Sequence, residues 1–425
     1  MIYHNPEQET LTRSQLTALQ DRRLKDIIRH VYTKNAVFRK RLEEAGVHPD
    51  TFRGLEELEK IPTMNKKEFR EHFPLGMCCV DEREIREVHQ SSGTSGTPVV
   101  MPYTAGDLAQ WAECMARCYC MAGAVPGDVC QITPSFGMFN GGFGMYHGAR
   151  AANLFIVPAS AGNTERQIRM AQSFGTKILT AVVSYGPRIL EVMAQMNATL
   201  PTLKIGIFGA EMFSDNMKKM LAEGFGIDAF DIYGMTESGG VGTLGQDCPE
   251  HAGIHVWEDH YVVEILKPGT HEVVPDGELG EVTVTSLTRE ALPVLRFRTG
   301  DLSRIVSREK CGCGRTHVRI APVTGRLDDM LIIKGVNFFP SQVEQALLEI
   351  PGVHPHYQII IEDHHGVKDV HVNVEAEEGV TGYMVEKKLK ETLGFSPKGD
   401  VYQPGQLPRQ AGKAQRVFYQ DDPNA

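Results

Sequence analysis

A chain of 425 residues, 41% hydrophobic and 23% charged, has the make-up of an ordinary globular protein large enough for two or more domains. Its 54 acidic residues outnumber 44 basic ones for a net charge of −10. That balance excludes a general nucleic-acid-binding role and requires local positive charge wherever an anionic substrate sits. No run of about 18 apolar residues is present to span a bilayer. The first residues, Met1 to Glu9, lack the basic start and apolar stretch of a secretory signal, so the expected location is the cytoplasm. Nine cysteines in such a chain do not suggest disulfides. Cys78, Cys79, Cys114, Cys118, Cys120 and Cys130 lie among apolar neighbours and read as small hydrophobic residues; Cys248, Cys311 and Cys313 stand apart.

In chain order, residues 11–47 carry helical spacing rich in Arg, Lys and Glu, ending at Ala45-Gly46. Ile85 to His89 and Val99 to Tyr103 read as extended and flank the run Ser91-Ser92-Gly93-Thr94-Ser95-Gly96-Thr97-Pro98. That run is therefore expected as a loop across a hairpin. Its glycines permit close backbone approach to a ligand, and its hydroxyl and N–H groups suit a polyanion. A Walker-type phosphate loop is excluded, because Gly96 is followed by Thr97-Pro98 where Gly-Lys-Ser/Thr is needed, and Pro98 supplies no N–H. A flexible loop without a ligand is the competing reading.

A helix is expected over 106–122. Between 128 and 210, strands at Val129 to Thr133, Asn153 to Pro158, Lys177 to Val183 and Leu203 to Gly209 alternate with helices near 164–174, 187–197 and 214–224. This alternation predicts a parallel α/β domain. From about 255 to 306, β-branched alternation with turns at Lys267-Pro-Gly-Thr and Pro275-Asp-Gly predicts an antiparallel, barrel-like β-subdomain. After Gly325-Arg326-Leu-Asp-Asp a smaller α+β unit follows, with helices at 341–350 and 383–393, strands near 357–362 and 369–376, and a basic tail. The fold class is thus α/β: a large N-terminal domain over 1–326, its β-rich part near 255–325, and a small mobile α+β domain over 327–425.

Chemistry-bearing residues gather at strand ends, where α/β sheets bind ligands. Gly209-Ala210-Glu211 and Tyr233-Gly234-Met235-Thr236-Glu237-Ser238 each follow an expected strand, and Asp231 precedes the second motif. Arg296-Phe-Arg-Thr-Gly-Asp301 and Gly325-Arg326-Leu-Asp328-Asp329 pair arginines with acids at turns. Gly412-Lys413 lies near the C-terminus.

In kind and order these segments resemble the adenylate-forming superfamily of acyl- and aryl-CoA ligases, and within it the phenylacetate–CoA ligase family. The resemblance spans essentially the whole chain. It implies a two-step reaction in which a carboxylate attacks the α-phosphate of MgATP, releasing pyrophosphate, and the thiol of coenzyme A then displaces AMP. Under this resemblance Ser91, Ser92, Gly93, Thr94, Ser95, Gly96 and Thr97 cradle the outer phosphates. Gly209, Ala210 and Glu211 line the adenine, on which Tyr233 stacks. Asp231, Gly234 and Met235 belong to the same nucleotide site. Thr236 meets the α-phosphate, Glu237 holds Mg2+, Asp301 takes the ribose hydroxyls, and Arg326 approaches ribose and phosphate. Lys413 bridges carboxylate and α-phosphate. The segment at Asp328-Asp329 would be a hinge that rotates the last domain between half-reactions. The family's phosphate loop commonly carries a lysine before its proline, where this chain has Thr97; a positive charge is missing there, and another base could substitute.

The acyl pocket is expected along 133–147, where Phe136, Met138, Phe139, Gly141 and Phe143 suit a flat aromatic acid, with Ser184-Tyr185-Gly186 as a second wall. The same stripe would also serve as plain core. Cys311-Gly-Cys313 with Cys248 and either His251 or His255 could bind a structural Zn2+ tetrahedrally. His255 is preferred because it follows the turn at Ala252-Gly253. Free thiols beside a Gly-rich turn are the alternative. Three functions follow: an aryl-CoA ligase, an adenylating enzyme with a different acceptor, and a non-catalytic nucleotide-binding relative. The partners are an aryl acid, ATP and coenzyme A; oligomeric state is open, with a homodimer one form.

Overall fold

The protein is described from a computed structural model covering residues 2–91, 97–333, 336–364, 367–409 and 414–421. The N-terminal helical segment is two helices, Arg13–Lys34 and Ala36–Glu44. Asn35 separates them: its side chain accepts from the N–H groups of Val37 and Phe38 and caps the second helix. An Asn at that point competes with the continuous helical ladder and favours a new start. Glu87–Gln90 then pairs antiparallel with Val100–Tyr103, so the Ser/Thr/Gly run does bridge a hairpin. Of that run, Ser92, Gly93, Thr94, Ser95 and Gly96 lie outside the described residues.

The main sheet has nine strands. Phe155–Val157, Val129–Ile132, Ile178–Val182, Ile205–Gly209 and Asp228–Met235 run parallel. Gly240–Asp247, Ile254–Val256, Arg319–Ile320 and Ile305–Ser307 continue it in antiparallel fashion. The central strands read as continuous apolar runs because both faces are covered. Ile207 points into one core and Phe208 into another. One face carries the helices Ala105–Met121 and Asn140–Ala151. The other carries Thr164–Phe174, Tyr185–Gln195 and Asp215–Phe225, all three close to their expected positions.

The helix Asn140–Ala151 was not expected from its glycine-rich sequence, since glycine is a poor helix former. Packing decides it. A Cβ at Gly144 would lie 2.4 Å from the Trp111 ring, and one at Gly148 would lie 2.1 Å from Met115 Cβ. The glycines let two helices touch backbone to side chain. The β-rich region is a four-stranded antiparallel sheet of Tyr261–Leu266, Gly280–Ser286, Phe297–Ser303 and Gly325–Arg326. Ile254–Val256, within the stretch read as β-subdomain, joins the main sheet instead.

Beyond Leu327–Asp329 the chain forms a further sheet. Val353–His364 and Val367–Ala376 pair antiparallel, flanked by parallel strands Val417–Asp421 and Lys398–Tyr402. The helices Pro340–Leu348 and Gly382–Leu393 share a core with Ile359 and Val372. This unit rests against the helix Asp215–Phe225: Ser214 Oγ donates to Glu344 Oε1 (3.2 Å), Asn216 Nδ2 donates to the Gln345 carbonyl (3.3 Å), and Leu348 packs on the core beneath. The basic tail is therefore not a free loop, because it contributes an edge strand.

Candidate active site

Tyr233 stands near the end of its strand, and its hydroxyl donates to Asp301 Oδ2 at 2.7 Å. Asp301 lies opposite Arg326 in register, and the Arg326 guanidinium holds its other carboxylate oxygen. Arg326 also donates to Asp328 Oδ1 (3.0 Å) and to the Thr299 carbonyl (3.2 Å). Burial pushes the Asp301 carboxyl upward against the opposing pull of Arg326. Burial, reinforced by Asp301, holds the Tyr233 phenol well above its usual value. The strand-end motif, the Arg-Thr-Gly-Asp turn and the Gly-Arg-x-Asp-Asp segment thus meet at one carboxylate.

Thr236 and Glu237 follow in a short turn, Thr236–Ser238. Asn140 Nδ2 donates to Thr236 Oγ1 at 2.8 Å, while Asn140 Oδ1 accepts from the Val241 N–H at 3.2 Å. Glu237 is only 3% exposed, and its Oε1 has no hydrogen-bond partner. Lys66 Nζ lies 3.7 Å from that oxygen. A buried carboxylate oxygen without a donor costs free energy unless a cation meets it, so this donor fits a hard metal ion. Met235 donates its N–H to Ser238 Oγ at 3.2 Å.

At the neighbouring strand end, Gly209 faces Ile232, whose Cγ2 would be 2.6 Å from any Cβ there. Only glycine admits that approach. Ala210 has φ 67°, a left-handed conformation. Glu211 is occupied by two backbone donors, Ser184 N–H and Ala414 N–H, each at 2.7 Å. Its carboxylate therefore ties the C-terminal tail to the sheet and has these partners before any nucleotide contact. Lys413 itself lies outside the described residues. Asp231 lines a cavity of about 300 Å³ with Phe213 and Lys218, and neither Tyr233 nor Asp301 is among its lining residues. Burial first, and Asp247 second, push the Asp231 carboxyl up to about 8.

Of the expected acyl-pocket residues, Phe136 and Phe143 pack edge-to-face at 5.3 Å, and Phe143 also contacts the buried His89 ring at 5.4 Å. Phe139 is about half exposed and sits at the start of the helix Asn140–Ala151. Gly141 is the second residue of that helix, and a Cβ there would lie 3.3 Å from Pro134 Cβ. The structure brings Phe136 and Phe143 together and leaves Phe139 outside their contact.

Cys248, His255, Cys311 and Cys313 form a buried cluster whose ligand atoms all lie within 4.8 Å of one another. The Cys248 and Cys311 sulfurs are 3.7 Å apart, and Cys313 Sγ is 3.4 Å from His255 Nε2. Zinc–sulfur bonds of about 2.3 Å at tetrahedral angles require S···S edges of about 3.8 Å and S···N edges of about 3.5 Å, so the donor set fits a four-coordinate metal. His251, the other candidate, is committed elsewhere: its nitrogens face Asp247 Oδ2 (2.9 Å) and Asp228 Oδ1 (2.8 Å). Of the remaining six cysteines, Cys79, Cys114, Cys118 and Cys130 are buried, and Cys78 and Cys120 are half-buried. Among the described residues no helix is long and apolar enough to cross a membrane.

The sequence matches the AMP-binding enzyme family over residues 17–288 and the AMP-binding enzyme C-terminal domain over 335–420. It is 39% identical to a phenylacetate-coenzyme A ligase of Thermus thermophilus over 98% of this chain and 99% of that one. It is 36% identical to the Escherichia coli phenylacetate-coenzyme A ligase, covering 96% of each.

This chain belongs to the phenylacetate–CoA ligase family.

Its fold is shared with a solved 2-hydroxyisobutyryl-CoA ligase. Against that enzyme in its postadenylation state, bound to an acyl-AMP, the TM-score is 0.91 at 25% identity, over 99% of this chain and 92% of that one. Against the same enzyme in its thioesterification state it is 0.72 at 26% identity, over 98% and 92%. Over the whole chain, the structure of this phenylacetate–CoA ligase family member is thus more similar to the first of these structures than to the second. Lys66 and Asn140, which touch Glu237 and Thr236, were not anticipated. Neither lies in a distinctive motif, and only the fold carries residues 66 and 140 to residues 236 and 237.

Proposed function

We propose that this member of the phenylacetate–CoA ligase family is an AMP-forming aryl acid–CoA ligase acting on phenylacetate or a close aryl relative. The acid is first adenylated at the expense of ATP, and coenzyme A then takes the acyl group as a thioester. The observation that carries the reading is the meeting of Tyr233, Asp301 and Arg326 beside a buried Glu237 whose Oε1 has no hydrogen-bond partner. A nucleotide needs these groups: a ring face, a carboxylate for vicinal hydroxyls, a guanidinium for phosphate, and a hard oxygen donor for a metal.

In this reading Asp301 accepts the ribose hydroxyls, with Arg326 opposing the upward push of burial on its carboxyl. Tyr233 stacks on the adenine, which Gly209, Ala210, Glu211, Asp231, Gly234 and Met235 surround. Thr236, oriented by Asn140, donates to the α-phosphate. Glu237 holds Mg2+, which neutralises phosphate charge when bound. Ser91 to Thr97 receive the outer phosphates. Lys413, the residue just before the Ala414 that Glu211 anchors, bridges the carboxylate and α-phosphate. Phe136 and Phe143 offer ring faces and edges to an aryl acid, with Phe139 and Gly141 at the margin. Cys248, His255, Cys311 and Cys313 hold a structural Zn2+ with no open position. Residues 327–425 act as a lid hinged near Asp328-Asp329, and its rotation withdraws Lys413 before the thiol attacks.

Pyrophosphate release with MgATP, measured across aryl and short-chain acids with and without coenzyme A, tests the proposal. Release that depends on an aryl acid, with an aryl-CoA product, is expected. Release without thioester would redirect the acyl group to another acceptor. No release with any acid, despite ATP binding, would overturn the catalytic reading.

A further inference from the structure

A threonine hydroxyl serves a phosphate only if its proton points at the phosphate, because the same group can equally well accept. The structure fixes that choice for Thr236 through a chain of hydrogen bonds that begins well away from it. Trp111 is fully buried and donates its indole N–H to the Val241 carbonyl at 2.9 Å. The indole also closes on the adjoining backbone: a Cβ at Gly240, where φ is 120°, would lie 2.3 Å from the ring. Val241 is thereby held, and its N–H donates to Asn140 Oδ1 at 3.2 Å. A backbone N–H can only donate, so it takes the carboxamide oxygen and leaves the amide nitrogen for Thr236. Asn140 Nδ2 accordingly donates to Thr236 Oγ1 at 2.8 Å. Among the described residues Thr236 Oγ1 has no other hydrogen-bond partner. Its oxygen is engaged as an acceptor, and its own proton is left for a ligand oxygen.

The carboxamide also belongs to the aryl side of the site. Asn140 is the first residue of the helix Asn140–Ala151, and Phe143, three residues on, lies on the same face. Phe143 packs on Phe136 at 5.3 Å and on the buried His89 ring at 5.4 Å. Gly144 and Gly148 seat this helix on Trp111 and Met115. The indole that starts the hydrogen-bond chain therefore also fixes the helix that continues it. Bonds donated head to tail in this way polarise one another. One helix thus sets both the ring wall proposed for the acid and the hydroxyl proposed for the α-phosphate.

We propose that Asn140 is a positioning residue for adenylation, turning the Thr236 proton toward the α-phosphate by donating to the threonine oxygen. The role deepens the adenylation reading above and rests on it. As the acid's oxygen bonds to the α-phosphorus, the bond from phosphorus to the bridging oxygen breaks, and its electron pair leaves with pyrophosphate. Negative charge gathers meanwhile on the non-bridging oxygens, and a proton already aimed at them needs no reorganisation.

Reversing one hydrogen bond in the full-length enzyme tests this. Asn140→Asp keeps the shape and still accepts from Val241, but its second oxygen faces Thr236 as an acceptor and takes the threonine proton. Acid-dependent pyrophosphate release is expected to slow about 100-fold, the cost of one lost transition-state donor, and Thr236→Val should slow it as much. The loss should fall on kcat, with KM for ATP and for the acid within about threefold of wild type. Asn140→Leu is neutral and leaves the hydroxyl free among its staggered positions, so it should cost only about threefold. In the Thr236→Val background, Asn140→Asp should cost less than about threefold more, because no threonine proton remains to misdirect. A carboxylate acting by repulsion alone would slow both backgrounds alike and overturn the proposal. So would a greater loss with Asn140→Leu than with Asn140→Asp, or a loss confined to KM. Wild-type enzyme that releases no pyrophosphate with any acid would instead remove the adenylation reading itself.

Discussion

Glu237 carries a buried oxygen that lacks a hydrogen-bond partner, and the proposed metal role puts it to the test. Glu237→Gln keeps the shape and removes the charge, so it relieves a poorly compensated buried carboxylate while leaving Lys66 without its partner. Thermal stability is expected to hold within a few degrees, while adenylation falls about 100- to 1000-fold; calorimetry and pyrophosphate release check the two halves. A parallel fall in both would make Glu237 structural. His251 gives a residue-scale test of pH response. Hydrogen bonds to Asp228 and Asp247 push its imidazolium up to about 9, above an unfolded value near 6.5. Its folded form holds the proton more tightly, so the contribution is complete below about 6.5, declines as pH rises, and is gone above about 9. Partial exposure and solvent screening limit it to about 1 kcal/mol. The stability difference between wild type and His251→Gln in urea should therefore shrink between pH 7 and 9, and a constant difference would reject the assignment.

At the scale of elements, the cysteine cluster joins the loop after Gly240–Asp247, the strand Ile254–Val256 and the turn at residues 311–313. The N-terminal segment leans on the same turn. Tyr3 donates its hydroxyl to the Cys313 carbonyl at 2.9 Å, and Arg315 pairs with the fully buried Glu9 at 2.6 Å. A metal there would stabilise three chain segments at once. Purified protein is expected to carry about one zinc per chain, as a closed Cys3His site binds one ion. Cys313→Ser should lose the metal, lower the melting temperature and loosen residues 2–10 to protease, while leaving the ATP dependence of any retained activity unchanged. Protein purified under zinc-replete conditions with no bound metal would reject the site.

Across the whole molecule, polar contacts at Ser214, Asn216, Glu191 and Glu211, together with Leu348 on the core beside the helix Asp215–Phe225, hold one pose of the C-terminal unit. So small a contact is suited to being broken and remade. Leu348→Asp is expected to disfavour this pose. Adenylation should slow about tenfold, equivalent to about 1.4 kcal/mol, while thioester formation from preformed acyl-AMP is kept or quickened. Equal slowing of both steps would mean that the contact serves folding alone.

Much of the architecture was legible in local pattern. The hairpin around the Ser/Thr/Gly run, the parallel strands from Val129 to Gly209, and the helices between them follow from turn residues, β-branched runs and helical spacing, which act within a few residues. The ordered motifs also named the family, and the fold brings three of their residues, Tyr233, Asp301 and Arg326, together at one carboxylate. Two features escaped that pattern, and one expectation was met for a different physical reason. The helix Asn140–Ala151 exists because Trp111 and Met115 pack against its glycines, which no local propensity encodes. The sequence preference for His255 over His251 agrees with the cluster, but the cause is that Ile254–Val256 pairs with the main sheet and carries residue 255 inward. Lys66 reaches Glu237 only through the strand Phe297–Ser303, across about 170 residues of chain. Local sequence determined the elements and the chemical vocabulary of the site; long-range packing decided which charges face one another, because burial and distance set their energies.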